Sequence, residues 1–233
     1  MPSKTREREN RKKKRNPDQF LTMEHKYYIF CEGEKTEPNY FSGFKKVIEQ
    51  NPIYKNMVLL EIHPSSKDTV RMVMAAEKYV KSNNIINAEI WCVYDKDDFT
   101  NSDFDNAVQL ADKLNQNQSK VHYNCAWSNE CVEIWFILHF AYYTSDNHRN
   151  EYLKYLDKVF LDRAGHKYRK NMENIFDLLV QYGNPKQAII NARKLLSGKE
   201  LQAPSQISPG TAVYQIVEKL AVFLPEDIRS HFI

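Results

Sequence analysis

No stretch of this 233-residue sequence approaches the eighteen or so consecutive apolar residues that a membrane span requires. The amino-terminus is charged where a secretory leader turns apolar, so the sequence predicts a soluble, cytoplasmic chain with no membrane partner. Six glycines and no internal repeat exclude collagen-like repetition. The four cysteines, Cys31, Cys92, Cys125 and Cys131, form no Cys-x-x-Cys pair. A structural zinc ribbon is thereby excluded, and free thiols buried in a reducing compartment account for them. A phosphate-binding Gly-x4-Gly-Lys-Ser/Thr loop is also missing. Around Gly33-Glu34-Lys35-Thr36 the lysine is displaced and no earlier glycine stands at the required spacing, so this chain does not hydrolyse ATP through that motif.

What is present is an apolar content of 42%, enough for a substantial core, and a charge that is unevenly spread. Residues 1–15 hold eight basic side chains, among them Arg11, Lys12, Lys13, Lys14 and Arg15, against Glu7 and Glu9. With a net charge of +3 for the whole chain, the body is mildly acidic and the first 15 residues carry +6. Residues 1–20 are expected to form a flexible basic arm suited to a nucleic-acid backbone, DNA or RNA, because each neutralised phosphate releases counterions. A solvated tail would have the same composition.

After Asn16-Pro17 the pattern becomes regular. Content in Val, Ile, Tyr, Phe and Trp predicts strands over 26–32, 57–63, 88–95 and 120–127, with helices over 37–50, 68–83 and 103–115 between them. In the second helix Val70, Val73, Met74, Tyr79 and Val80 recur at helical spacing, and Ser65-Ser66 is the expected cap. Strand and helix alternating three times imply an α/β fold, a parallel sheet of about four strands covered on both faces. A further apolar helix is expected over 130–142, with Trp135, Phe136, Leu138, His139 and Phe140 as core. Only helices are expected beyond it, over 149–160, 168–181, 185–196 and 211–224, separated by a loop over 198–210. The expected organisation is a catalytic core over 21–145 and a helical extension over 146–233 packed on it.

Residues that close strands matter most, because open α/β sheets bind ligands at the carboxyl ends of their strands. The first strand closes as Cys31-Glu32-Gly33 and the third as Tyr94-Asp95-Lys96-Asp97-Asp98, which puts carboxylates on one rim. If the chain stays extended, Asp95 and Asp97 point to one side roughly 7 Å apart, a separation suited to gripping one metal ion or a pair. Mg²⁺ prefers one or two carboxylates plus water and phosphate, and a metal pair can clamp both oxygens of a phosphodiester displacement. Glu32 would be a further ligand or the base, and Gly33 lets the backbone turn after it. Glu130 in Trp127-Ser128-Asn129-Glu130-Cys131-Val132-Glu133 is another candidate ligand; equally, Ser128 or Asn129 could cap a helix whose first turn holds Glu130. Glu37, Asp98 and Glu133 are additional candidates, with structure favoured for Glu133, and Lys35 and Lys96 are the nearest cations in sequence to offset so many acids. A dehalogenase-type phosphatase would need Thr or Val at 99, where Phe99 stands, and a calcium loop would need Gly at 100, where Thr100 stands.

On these residues the sequence resembles the RloB-type proteins, a family related to the Toprim fold. The resemblance is carried by Cys31-Glu32-Gly33-Glu34-Lys35-Thr36-Glu37-Pro38, Trp91-Cys92-Val93-Tyr94-Asp95-Lys96-Asp97-Asp98-Phe99, Trp127-Ser128-Asn129-Glu130 and Pro209-Gly210-Thr211-Ala212-Val213-Tyr214. It implies a Toprim-like core in which Glu32, Asp95 and Asp97 are the catalytic and metal-ligating acids, served by Mg²⁺ or Mn²⁺ and by two ions in all. The related OLD nucleases carry a second glutamate that Glu37 resembles, one residue further on. Toprim topoisomerases need a tyrosine-bearing cleavage domain and primases a zinc ribbon, so the resemblance implies a nuclease. It also implies a setting in bacterial restriction or phage defence and a separately encoded ATPase partner. Two other classes remain open on the residues alone: a module that binds nucleic acid or an ATPase partner through a non-catalytic metal site, and a sugar-nucleotide transferase using Asp-x-Asp.

Overall fold

The computed structural model describes residues 23–65, 68–117 and 120–233. The basic arm, with Arg11, Lys12, Lys13, Lys14 and Arg15, and Ser66 of the expected cap lie outside the described residues. Strands β1 (His25–Cys31), β2 (Val58–Pro64), β3 (Ala88–Asp95), β4 (Val121–Asn129) and β5 (Gly210–Thr211) form one sheet in the order β2-β1-β3-β4-β5. The first four are parallel, as the alternation of strands and helices predicts, and β5 runs antiparallel to β4.

Side chains alternate across the sheet with the period of two that strands impose. Tyr27, Ile29, Cys31, Trp91, Val93 and Ala126 face one core; Tyr28, Phe30, Ile90, Cys92, Tyr94 and Trp127 face the other. The first crossover helix, α1 (Thr36–Gln50), covers the first face through Tyr40, Phe41, Phe44 and Ile48. Helices α2 (Thr69–Ser82) and α3 (Asn101–Asn115) cover the second through Met72, Val73, Ala76, Phe104, Ala107 and Ala111. Thr100 caps α3, its hydroxyl accepting from Asp103 N at 3.2 Å, a contact worth about 1 kcal/mol. At α2 the capping position is Asp68 in extended backbone, with no side-chain cap, and not Ser65.

The chain leaves β1 through α1 on one face to reach β2, then crosses through α2 on the opposite face to reach β3 on the other side of β1. The gap between the carboxyl ends of β1 and β3 is therefore the topological switch point, the place where an open α/β sheet leaves a crevice.

Helices α4 (Glu133–Leu138), α5 (Arg149–Ala164), α6 (Ile175–Tyr182), α7 (Pro185–Leu196), α8 (Val213–Ala221) and α9 (Glu226–Arg229) follow β4. Their apolar residues join the α1 face in one continuous core, with Trp135, Phe136, Tyr152, Leu156 and Ile216 fully buried. The sequence departs from this arrangement in four places. The helix expected over 130–142 is only α4, because β4 stays extended through Asn129. Ser128 and Asn129 consequently cap nothing: Ser128 Oγ pairs with Thr211 Oγ1 at 3.0 Å, and Asn129 Nδ2 donates to the carbonyls of Pro204 and Ser205. Residues 168–174 form a loop before α6. Thr211 belongs to β5 rather than to a helix.

His139 is a core residue, its Nδ1 bonded to the Trp135 carbonyl at 2.9 Å and its pKa lowered by burial to about 4. The four cysteines are free, and Cys31, Cys92 and Cys131 are buried. Among the described residues no helix is long and apolar enough to cross a membrane.

Candidate metal centre at the carboxyl ends of β1 and β3

Glu32 follows β1 directly and keeps the strand register for one more bond, its N–H donating to the Val93 carbonyl at 3.0 Å. Its Oε2 accepts from the backbone N–H of Asp95 at 3.1 Å, so the two acids that close neighbouring strands are tied together at the switch point. Behind them, Glu37 in the first turn of α1 and Glu133 in the first turn of α4 are both buried, at 4% and 1% exposure. Among the described residues, each has an Oε2 with no hydrogen-bond partner. A buried carboxylate oxygen without a donor is costly, about 1–3 kcal/mol even when neutral, and calls for a ligand or a shared proton.

Gly33 matters here for close approach and not for a turn. A Cβ at this position would lie 2.2 Å from Glu37 Oε2, so only glycine lets the Glu37 carboxylate lie against the backbone between the strands.

Asp97 is placed differently from the extended geometry expected of it. Extended backbone ends at Asp95, and Asp97 takes a left-handed φ of 39°, a conformation aspartate tolerates better than most residues. The N–H groups of Lys96 and Asp97 both donate to the Glu130 carbonyl at 3.1 Å, which folds the Asp-x-Asp segment over the end of β4. The Asp97 carboxylate is ion-paired with the guanidinium of Arg149, the first residue of α5. Glu130 does not lie in a helix: its Oε2 accepts from the Arg149 N–H at 2.7 Å and so anchors the start of α5.

Nor do the cations nearest in sequence offset the acids. Lys35 is exposed and Lys96 Nζ donates to the Phe99 carbonyl, while Asp98 is exposed. The offsetting charges are Arg149 and Lys170, from segments where sequence periodicity gave no sign of them. Lys170 Nζ lies 3.6 Å from Glu133 Oε1, which also accepts from Tyr168 Oη at 3.2 Å. The loop carrying Tyr168 and Lys170 is pinned to α1: Thr36 Oγ1 donates to the Lys170 carbonyl at 2.7 Å, and Asn39 Nδ2 to the carbonyls of Asn171 and Met172. A short polar residue at the start of α1 and an asparagine one turn on were the only sequence signals of this docking.

The electrostatics follow from crowding like charges in a dry crevice. Burial raises Glu32 to about 7, against the Asp95 N–H that lowers it, with Asp97 and Asp68 adding to the rise. Burial likewise raises Glu37 to about 7, reinforced by Glu133 and Glu32. Asp95 is raised well above the ordinary aspartate value by burial and then by Glu37, Glu133, Asp97 and Glu32, and Asp97 is raised less because Arg149 opposes its burial.

Folded Glu37 thus holds its proton up to about pH 7 where the unfolded chain releases it near 4.5, so its contribution to stability falls as pH rises through that window. His139 acts in the opposite sense, contributing stability above its unfolded value of 6.5 that is lost as pH falls toward 4. In Glu37→Gln the histidine is unchanged. Thermal melts in EDTA should therefore show this variant level with wild type near pH 4.5 and several degrees more stable at pH 7. A variant less stable throughout that range would mean that Glu37 is held as an anion by partners.

The donor set is all oxygen, which suits a hard divalent cation such as Mg²⁺ or Mn²⁺, and the two orphaned buried carboxylate oxygens are groups that such an ion would satisfy. Among the described residues no three His, Cys, Asp or Glu side chains already stand at ligating separation. Asp97 is the acid engaged elsewhere, on Arg149. Away from the rim, a cavity of about 900 Å³ lies between α8 and the amino-terminal halves of β1 and β3. Its charged groups are already matched, Lys219 with Glu89 at 2.7 Å and Arg193 with Glu218 at 2.5 Å, whereas the acids of the rim exceed their counter-ions.

Comparison with known proteins gives one match. The sequence model of the family described as RloB-like protein covers residues 27–220, a span that holds every acid of the rim. No curated protein and no solved structure matches the chain.

Proposed function

The chain belongs to the RloB-like protein family, and from that premise and the carboxylate rim we propose that it is a metal-dependent nuclease that cleaves nucleic-acid phosphodiesters. The observation that carries this reading is the convergence of Glu32 and Asp95 at the switch point, backed by Glu37 and Glu133 whose buried oxygens lack donors. Asp95, Asp97 and Glu32 would hold Mg²⁺ or Mn²⁺, two ions in all, with Glu37, Glu130 and Glu133 as further candidate ligands. When bound, such ions polarise a phosphodiester and lower the pKa of water.

The chain's own residues do the rest. The Asp95 N–H donates to Glu32 Oε2 and so orients the carboxylate, which would serve either as an ion ligand or as the base that takes a proton from the attacking water. Tyr168 and Lys170 hold Glu133 in place. The basic arm of residues 1–15 would draw the polyanion toward the rim.

The family setting and the missing phosphate-binding loop further support a role as the effector of a bacterial defence system, partnered by a separately encoded ATPase. Incubation of the purified chain with labelled DNA and RNA, with and without that ATPase, in Mg²⁺, Mn²⁺ or EDTA tests the proposal. Divalent-dependent cleavage is expected; cleavage that survives EDTA, or none under any of these conditions, counts against it.

A further inference from the structure

Among the described residues, Arg149 is the cation that sits directly on a carboxylate of the Asp-x-Asp pair. Its main chain is fixed, because its N–H donates to Glu130 Oε2 at 2.7 Å, and the Glu130 carbonyl in turn holds the N–H groups of Lys96 and Asp97. Both ends of the ion pair are thus hung on Glu130, and only the arginine stem and the Asp97 side chain can move. The guanidinium fork fits a carboxylate and a phosphate equally well, and the start of a 16-residue helix adds a favourable potential for an anion. Lys170 differs: its ammonium pairs with Glu133 at 3.6 Å, and among the described residues no ion pair joins it to Asp97 or Glu32.

Resting on the metal-dependent reading above, we infer that Arg149 is a phosphate-binding residue of this site, which the metal-free protein keeps on Asp97 and which a divalent cation releases toward the substrate backbone. The arginine holds the place of the cation on Asp97. Once a divalent ion takes that carboxylate, the guanidinium loses its partner beside a centre that has gained positive charge, and a phosphodiester is the anion that satisfies both. Arg149 and the ion then compete for Asp97 in the absence of substrate and cooperate in its presence, a coupling that follows from occupancy of one carboxylate.

Two consequences can be measured. In calorimetric titrations with Mn²⁺ alone, Arg149→Gln should bind the ion about tenfold more tightly than wild type, since the competent state no longer has to be released from the ion pair. Lys170→Gln, which removes the same charge from the same rim, controls for the general field and should tighten binding less. Arg149→Lys keeps the charge but not the fork and should fall between wild type and Arg149→Gln. In the second measurement, binding of duplex DNA and of single-stranded RNA is followed against salt in Ca²⁺ and in EDTA. Arg149→Gln should lower the slope of log affinity on log salt by about 0.9 for the duplex, or about 0.7 for the single strand, in Ca²⁺ only.

Weaker Mn²⁺ binding by Arg149→Gln, tightening no greater than that of Lys170→Gln, or an unchanged salt slope with both polymers would overturn the inference. Failure of the underlying metal reading looks different: wild type and every variant would then bind no Mn²⁺ at all.

Discussion

Asp95→Asn should raise the melting temperature of the metal-free protein at neutral pH and, in the same molecule, remove the Mn²⁺-dependent stabilisation and the cleavage that the proposed function entails. Four acids raise the Asp95 carboxyl beyond what burial alone does, and its own backbone N–H is spent on Glu32. Above the unfolded value of about 3.9 the folded aspartate keeps a proton that the unfolded chain has released, and that uptake costs stability. Asp95 lies at the rim and keeps some contact with solvent, which moderates the cost. The amide carries no charge and is relieved of that cost, so the variant should melt several degrees higher. The sign is fixed by proton uptake: the gain grows as pH rises from the unfolded aspartate value through the folded one, and vanishes as pH falls below the unfolded value, where wild type is no longer penalised.

Asp97→Asn should behave differently, because it strips Arg149 of its partner and so gives up an ion pair as it relieves repulsion; no gain in melting temperature is expected from it. Both variants should lose the rise in melting temperature that ligand binding to the native state confers, and turnover by Asp95→Asn should fall on the order of a thousandfold or more. Melts of the three proteins with EDTA and with Mn²⁺ decide the matter. If Asp95→Asn melts lower than wild type in EDTA and wild type does not respond to Mn²⁺, Asp95 is an ordinary structural acid and the nuclease reading loses its chemical basis.

That the two aspartates separate in this way was not legible in the sequence, and the reason is physical. Local patterns locate strands, and strands locate the acids that close them: β3 runs over the residues its composition predicts, and Glu32 and Asp95 follow from the ends of β1 and β3. The partners of those acids come from tertiary packing. Arg149 opens a helix whose periodicity was read correctly from residue 149, but nothing local says that this first side chain reaches Asp97. Tyr168 and Lys170 were hidden by an expected helix over 168–181 whose first seven residues are in fact loop, and that loop is what carries them to Glu133. The strand β5 has two residues, too few for any period of two to register, and its role is known only from Thr211 meeting Ser128 across the sheet. Gly33 was singled out in the sequence, but for conformational freedom; its use is to make room for Glu37, a contact between a loop and a helix that no spacing rule encodes.

Gly43→Ala should destabilise the protein by overpacking, and it probes the joint on which the site depends. Gly43 lies in α1, and a Cβ there would come within 2.2 Å of Phe176 Cβ and 2.3 Å of its Cγ. These atoms are the root of the side chain, close to the α6 backbone, so no rotamer change clears them and the two helices must separate. Phe176 is itself wedged against Phe44, at 4.6 Å between ring centroids, and stacked on Phe232 near the carboxyl end of the chain, at 6.2 Å. An alanine in mid-helix would ordinarily gain about 1 kcal/mol over glycine in propensity. Overpacking a core that cannot yield costs about 1–3 kcal/mol and more where backbone must shift, so the net sign is destabilising.

A fall in melting temperature of roughly 5–10 °C is expected, in a single transition, since the helices after β4 and the sheet share one core and have no separate interior to lose. The same separation lifts the 168–174 loop off the start of α1, where Thr36 and Asn39 hold it, so Mn²⁺ should stabilise the variant less than it stabilises wild type. Phe176→Ala alone should cost about 3–5 kcal/mol through the cavity it leaves. Combined with Gly43→Ala it should cost less than the sum of the two, because the added methyl then occupies vacated space, and the coupling energy reads the contact directly. Strict additivity in that cycle, or a Gly43→Ala protein as stable as wild type, would show that α1 and α6 do not meet at this glycine and that Lys170 must be brought to the carboxylates by some other packing.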